Sequence, residues 1–171
     1  MGYWKSTTRR FVAFFDIMGF KDRVYREPHD ETLQLMLELR RVLDEVERIA
    51  EEHAEAKRAA VRPVFFSDSV LLVSSSDSRE AAEEIVSLSM WLLYEALGAG
   101  IPMKGALACG VETADFRSSI HFGRPLIEAY LLQEQLALYG AAVHHSAESA
   151  LEDLGLLAPS PMRGLIHYDT P

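Results

Sequence analysis

Two carboxylates stand out by where they sit. Asp16 closes the apolar run Phe11 to Phe15 and is followed by Ile17-Met18-Gly19-Phe20; Asp68 stands between Ser67 and Ser69 inside FFSDSVLL, residues 65 to 72. Each interrupts a stretch of aromatic and β-branched residues, so each is expected at the end of a strand, where open sheets expose their chemistry. Isolated oxygen ligands on rigid elements are what a pair of divalent cations needs, with substrate phosphates and waters completing the shell. Gly19 has no side chain, so the Met18-Gly19 backbone can pass close to a ligand, and its N–H groups are candidates to hold phosphate oxygens. Taken singly, each Asp also has a turn or capping reading. Taken together, at the ends of two strands that can lie side by side, they favour a metal-bound polyphosphate.

The elements that must position them follow from periodicity. The strand Phe11 to Phe15 leads through a turn to Pro28. From Asp30, a plausible N-cap, apolar residues at 33, 36, 37, 42, 43, 46, 49 and 50 predict an amphipathic helix to about Arg58, with a solvated Glu/Arg face. Val61 to Ser75 reads as a hairpin with Asp68 at its tip. Asp77 or Ser78 caps a second long helix that Gly98, Gly100 and Pro102 stop. Trp91, with Met90 and Tyr94, reads as core or interface. Met103 to Val111 is a strand whose Gly105, Ala106, Ala108 and Gly110 leave room for a packed helix or a ligand. Lys104 at its start is either a phosphate or base contact or a surface lysine.

Residues 112 to 122 read as a polar excursion carrying Arg117 and His121, and Gly123-Arg124-Pro125 opens a helix over 126 to 138. Arg117 and Arg124 could reach an anionic substrate or serve solubility. Ala141 to Val143 is a short strand; His144-His145 is a poor chelate, because adjacent strand side chains diverge, and reads as structural. A helix near 147 to 154 and a strand over 164 to 168 complete the chain.

The bounds agree with this. The 171 residues, 49% hydrophobic and without a low-complexity linker, predict one domain over 1–171 with a proper core. The formal charge of −9, from 17 Lys plus Arg against 26 Asp plus Glu, argues against nucleic-acid or anionic-membrane partners. It leaves room for a nucleotide. Cys109 is the only cysteine, so no intrachain disulfide forms; with no signal peptide or apolar span, the expected location is the cytoplasm.

The order of elements and motifs resembles the class III nucleotidyl cyclase catalytic domain, whose motif begins FxDIxGF. Here it reads FFDIMGF at 14 to 20; FFSDSVLL is similar to the hairpin that carries the family's second metal Asp, and KGALACG, 104 to 110, takes the place of the following strand. The resemblance runs from Phe11 to about Ser146. It implies an α+β, ferredoxin-like or palm-type βααββαβ sheet with helices packed on one face. It implies two Mg²⁺ or Mn²⁺ ions held by Asp16, Asp68 and the Ile17 carbonyl, with Met18, Gly19 and Phe20 beside the substrate. It also implies a homodimer with shared sites, in which Lys104, Arg117, Arg124 and Tyr130 serve the partner's metal pair, across an apolar face around Trp91.

Departures matter too. Counting from Gly123, the positions where purine cyclases carry Asn and a transition-state Arg hold Ile127 and Leu131, and the polar base-selecting position is not matched around Ile120. The segment FGRPLIEAYLLQEQ looks like the Pycsar pyrimidine cyclases of bacterial antiphage signalling. That resemblance implies cyclisation of UTP, or of CTP, to the cyclic monophosphate as a second messenger. The alternatives are a purine cyclase, a degenerate cyclase-like nucleotide- or partner-binding module, and a palm-type nucleotidyltransferase; the last usually pairs acidic residues at the hairpin, where Asp68 has serines.

Overall fold

The computed structural model describes residues 4–57 and 60–157. Its centre is β1 (Thr7–Ile17), whose two edges are both occupied. On one side lies β3 (Ser69–Ser74), joined by a two-residue turn to β2 (Val61–Phe66); on the other lies β4 (Met103–Asp115). All of these pairings are antiparallel. The outer edge of β4 is shared: β5 (Ile120–Gly123) pairs with residues 112–115, and β6 (Gly140–Val143) runs parallel to 104–107. The six-stranded sheet therefore has the order β2-β3-β1-β4-β5, with β6 also on β4.

Alternation along β1 builds two layers. Phe11, Ala13, Phe15 and Ile17 face the main core with Leu39, Leu43 and Val46 of α2 (His29–Lys57), Ile85, Leu88 and Leu92 of α3 (Arg79–Gly98), and Leu151 of α5 (His145–Asp153). Val12 and Phe14 face the other way, among Leu71, Val73, Ala106, Ala108 and Ala129. Ala129 belongs to α4 (Arg124–Gln135). The architecture is the expected α+β arrangement, and α4 adds a helix on the second face of the sheet. A short α1 (Phe20–Arg26) connects β1 to α2.

The small-residue strand is thereby explained. Ala106 and Ala108 meet Ala129, and a Cβ at Gly110 would come within 3.2 Å of Pro125, so a helix rather than a ligand occupies the space. Gly105 faces the opposite layer, directly beneath Phe15.

Ser78, not Asp77, caps α3: its hydroxyl accepts from the Ala81 amide at 3.3 Å, while Asp77 pairs with Arg9. The expected polar excursion over 112–122 is instead the continuation of β4 and a tight hairpin into β5. Alternation persists there, with Glu112 and Ala114 buried between exposed Val111 and half-exposed Thr113. The inward Glu112 hides the pattern, because a charge at a core position reads as loop. Trp91 is half-buried against the main core and so is not the exposed centre of an apolar face; its neighbours Met90 and Tyr94 are exposed. His144 caps α5, its ring accepting from the Ser146 amide at 3.3 Å. The strand expected over 164–168 lies outside the described residues.

A Cβ at Gly105 would lie 2.2 Å from the Phe15 ring and 2.8 Å from the Phe14 carbonyl. Gly105→Ala is expected to destabilise the fold by about 1–3 kcal/mol, as overpacking does, measured by urea unfolding at constant m-value.

Candidate active site

β1 delivers Asp16 to the last position of its α4-facing row, where pairing fixes its neighbours. It is opposite Ser69 on β3 and opposite Lys104 on β4. The Ser69 hydroxyl donates to Asp16 Oδ1 at 3.2 Å. The β2–β3 turn, with Ser67 in the left-handed region at φ 55°, brings Asp68 over the end of β1, where its carbonyl accepts from the Ile17 amide at 3.3 Å. The two carboxylates expected to converge do converge.

Their proximity has an electrostatic signature. Burial raises the Asp16 pKa to about 6, and repulsion from Asp68 adds to it; the Ser69 hydrogen bond and the Lys104 charge oppose the rise. A half-buried carboxylate pair with too little positive charge is what a divalent cation relieves, so Asp16 and Asp68 fit a metal. Among the described residues, no group of three or more His, Cys, Asp or Glu side chains converges to hold an ion. Phosphate oxygens, waters and backbone carbonyls would therefore have to complete the shell.

The turn after Asp16 is shaped for close approach. Gly19 has φ 75°, a Cβ on it would meet nothing within 4 Å, and Phe20 begins α1 directly after it. One part of the expected phosphate cradle is already used: the Met18 amide donates to the Pro102 carbonyl at 2.8 Å. The early amides of α1, which lack helical acceptors, are the remaining donors.

On the α4 side, Tyr130 stacks edge-on against Phe14 at 5.5 Å, and its hydroxyl donates to Glu134 at 2.9 Å, which raises its pKa. Lys104 Nζ lies 3.3 Å from the carbonyls of both Glu134 and Leu136 and so holds the end of α4 to the sheet. Ser69 and Glu134 are the neighbours that sequence reasoning missed. Ser69 follows Asp68 directly, so a strand pairing with Asp16 is its only signal; Glu134 lies one helical turn beyond Tyr130.

Arg117 and Arg124 are not part of this cluster. Asp16 faces Lys104 while Thr7 faces Thr113, nine residues on, which is about 30 Å at 3.4 Å per residue. Arg117 lies beyond that point, exposed in the β4–β5 turn. Arg124, at the start of α4, is paired with Glu128 at 2.6 Å and is 82% exposed.

The fold has solved counterparts, all with low sequence identity. The catalytic core of a rhodopsin-guanylyl cyclase with converted specificity, in complex with ATPαS, aligns with TM-score 0.66 and 18% identity over 86% of this chain and 83% of that one. The fold is that of class III nucleotide cyclase domains. An adenylyl cyclase from Pseudomonas aeruginosa gives TM-score 0.59 and 19% identity, covering 88% of this chain and 84% of that one. A bacterial light-regulated adenylyl cyclase gives 0.60 and 17% over 84% of this chain, which spans 45% of that longer protein. No family model and no curated protein sequence matches.

The sign of the Asp16 effect is testable. A raised carboxyl pKa favours folding below the ordinary range near 4, and that contribution is lost as pH rises through 6. Asp16→Asn is therefore expected to gain about 1 kcal/mol over wild type at pH 8 without metal, after allowing for solvent screening, and to lose that advantage at pH 4. Urea unfolding at both pH values, repeated with Mn²⁺, checks it; added Mn²⁺ should stabilise wild type only.

Proposed function

We propose that this chain is a nucleotidyl cyclase that uses divalent cations held by Asp16 and Asp68 to convert a nucleoside triphosphate into its 3′,5′-cyclic monophosphate and pyrophosphate. The supporting observation is the convergence of these two carboxylates, one desolvated against the other, at the corner of a class III cyclase fold. In the reaction the ribose 3′-oxygen bonds to the α-phosphorus, the bond to the bridging oxygen breaks, pyrophosphate departs and one proton is released. Bound Mg²⁺ or Mn²⁺ would neutralise phosphate charge and lower the pKa of the 3′-hydroxyl. Asp16 and Asp68, with the Ile17 carbonyl, would hold the cations. Ser69 keeps one Asp16 oxygen oriented, and Gly19 leaves the approach open.

The acting unit is a homodimer in this reading. Arg117 lies about 30 Å along β4 from its own Asp16, and Arg124, beside the Pro125 that rests on Gly110, about 20 Å, six residues at 3.4 Å each, so a second copy would have to supply them to a nucleotide bound there. The outer side of α4 suits such an interface: Ile127 and Leu131, one turn apart, are 59% and 49% exposed, and Phe122 on the adjoining strand is 61% exposed. These same two residues stand where purine cyclases carry Asn and Arg. The pyrimidine reading, UTP ahead of CTP with a signalling role in antiphage defence, is carried by the resemblance of FGRPLIEAYLLQEQ alone. The purine reading draws equal support from the adenylyl and guanylyl cyclases that share the fold.

Incubation with each of the four triphosphates and Mn²⁺, with products identified by mass spectrometry, decides among these. Turnover of one triphosphate is expected, with Asp68→Ala reducing it at least 100-fold. No turnover by a folded dimer would instead support a binding module. Shared sites are checked by mixing Asp68→Ala with Arg124→Ala, each expected to be poorly active alone: mixed dimers should recover roughly a quarter to a half of wild-type activity; full activity of Arg124→Ala alone would place Arg124 outside the site, and no recovery on mixing would mean that the sites are not shared.

A further inference from the structure

At the far end of the sheet, the α4 side holds a second cluster that the proposed reaction does not use. Arg10 on β1 and Glu112 on β4 are both fully buried. Five of the eight buried side-chain polar atoms without a hydrogen-bond partner, among the described residues, belong to Arg10, Glu112 and His121. That concentration marks one place where polar groups are held away from water without well-formed partners, a cost native folds normally avoid.

The place is the seat of α4. Gly123, the N-cap of α4, pairs with Glu112 and offers no side chain to its first turn. A Cβ at Gly123 would lie 2.0 Å from Glu112 Oε2, so the carboxyl fills the space that a capping side chain would occupy. Pro125 then rests on Gly110. The charged groups facing this carboxyl can be named element by element. From β1 comes Arg10, which donates to the Lys5 and Ser6 carbonyls and lies under the Trp4 ring at 4.6 Å. Beyond Arg10, His121 of β5 is stacked on Phe116 at 5.0 Å and Arg62 of β2 lies over Trp4 and Phe116, neither in contact with the carboxyl. From α4 itself comes the Leu126 amide, while Arg124 is turned to Glu128 and solvent.

We propose that Glu112 is a proton-sensitive joint under the N-terminal end of α4: protonated, it lets the first turn of the helix sit closed on the sheet, and ionised, it favours lifting of that turn to admit water. The inference rests on the fold alone and stands whether or not the chain cyclises nucleotides. Burial raises Glu112 to about 7, with Arg10 and the Leu126 amide offsetting part of the rise. The closed form thus binds the proton more tightly than an opened, hydrated one, so opening grows more favourable as pH rises through 7. Because α4 also carries Tyr130 and the carbonyls that hold Lys104, this joint sits at the opposite end of the helix that borders Asp16.

Hydrogen exchange on the full chain, corrected for intrinsic rates, reads the opening directly. From pH 6 to pH 8 the amides of residues 126–129 should lose about tenfold protection, the factor that a carboxyl at about 7 when closed and about 4.5 when open requires, with core amides of β1 unchanged. The isosteric Glu112→Gln should abolish this dependence, and His121→Asn should keep it. Flat protection in wild type, persistence of the dependence in Glu112→Gln, or its loss in His121→Asn alone would each overturn the proposal.

Discussion

The whole arrangement depends on one strand being bonded on both edges. β1 meets β3 along five register pairs and β4 along eleven, and both sets end at the same place, with Asp16 flanked by Ser69 and Lys104. Strand register is a discrete variable: a slip of one residue on either side would turn Asp16 into the core and Phe15 out of it. Phe15 is fully buried beneath Gly105 and opposite the α3 layer, so the packing of that ring, more than any contact of the carboxylate, fixes where the carboxylate lies. The hydrophobic layer thus specifies the chemistry on its opposite side.

The same antiparallel pairing places two groups of polar side chains at opposite ends of the sheet. Carboxylates, Lys104 and Tyr130 gather where β1 ends and β4 begins; Arg10, Arg62, His121, Arg117 and Arg124 gather where β4 ends. α4 spans the distance between, twelve residues or about 18 Å, with its start seated on Gly110 and its finish held by Lys104. The helix joins polar contacts at its ends to an apolar seat on the sheet made by Pro125, Leu126, Ala129, Tyr130 and Leu132.

What the sequence revealed follows from how strongly each signal violates its surroundings. Asp16 and Asp68 were legible as a pair, because two carboxylates at the ends of two strands that can lie side by side outweigh the turn reading that each has singly, and Gly19 and the Ser67-Asp68-Ser69 triplet supplied turn chemistry at each. The long helices and the hairpin were legible by period. The second face was not. Ala106, Ala108 and Ala129 announce close packing without naming the partner, and a charged Glu112 at an inward position imitates a loop. Arg117 and Arg124 were recognisable as cations but not as distant from Asp16, since chain order says nothing of which end of an antiparallel strand a residue occupies until the register is known.

The division of the β4 edge has a bearing on assembly. β5 takes residues 112–115 and β6 takes 104–107; in the interval, the Leu107 carbonyl accepts from the His144 amide and the Cys109 amide donates to Ser146. At the other border β2 is six residues long and carries Arg62 and Pro63. Among the described residues neither margin offers a long row of vacant donors and acceptors, so the sheet is poorly suited to growing by adding another chain's strand. Copies of this molecule would have to meet through side chains on helices and sheet faces, which makes their geometry sensitive to single residues and resistant to open-ended stacking.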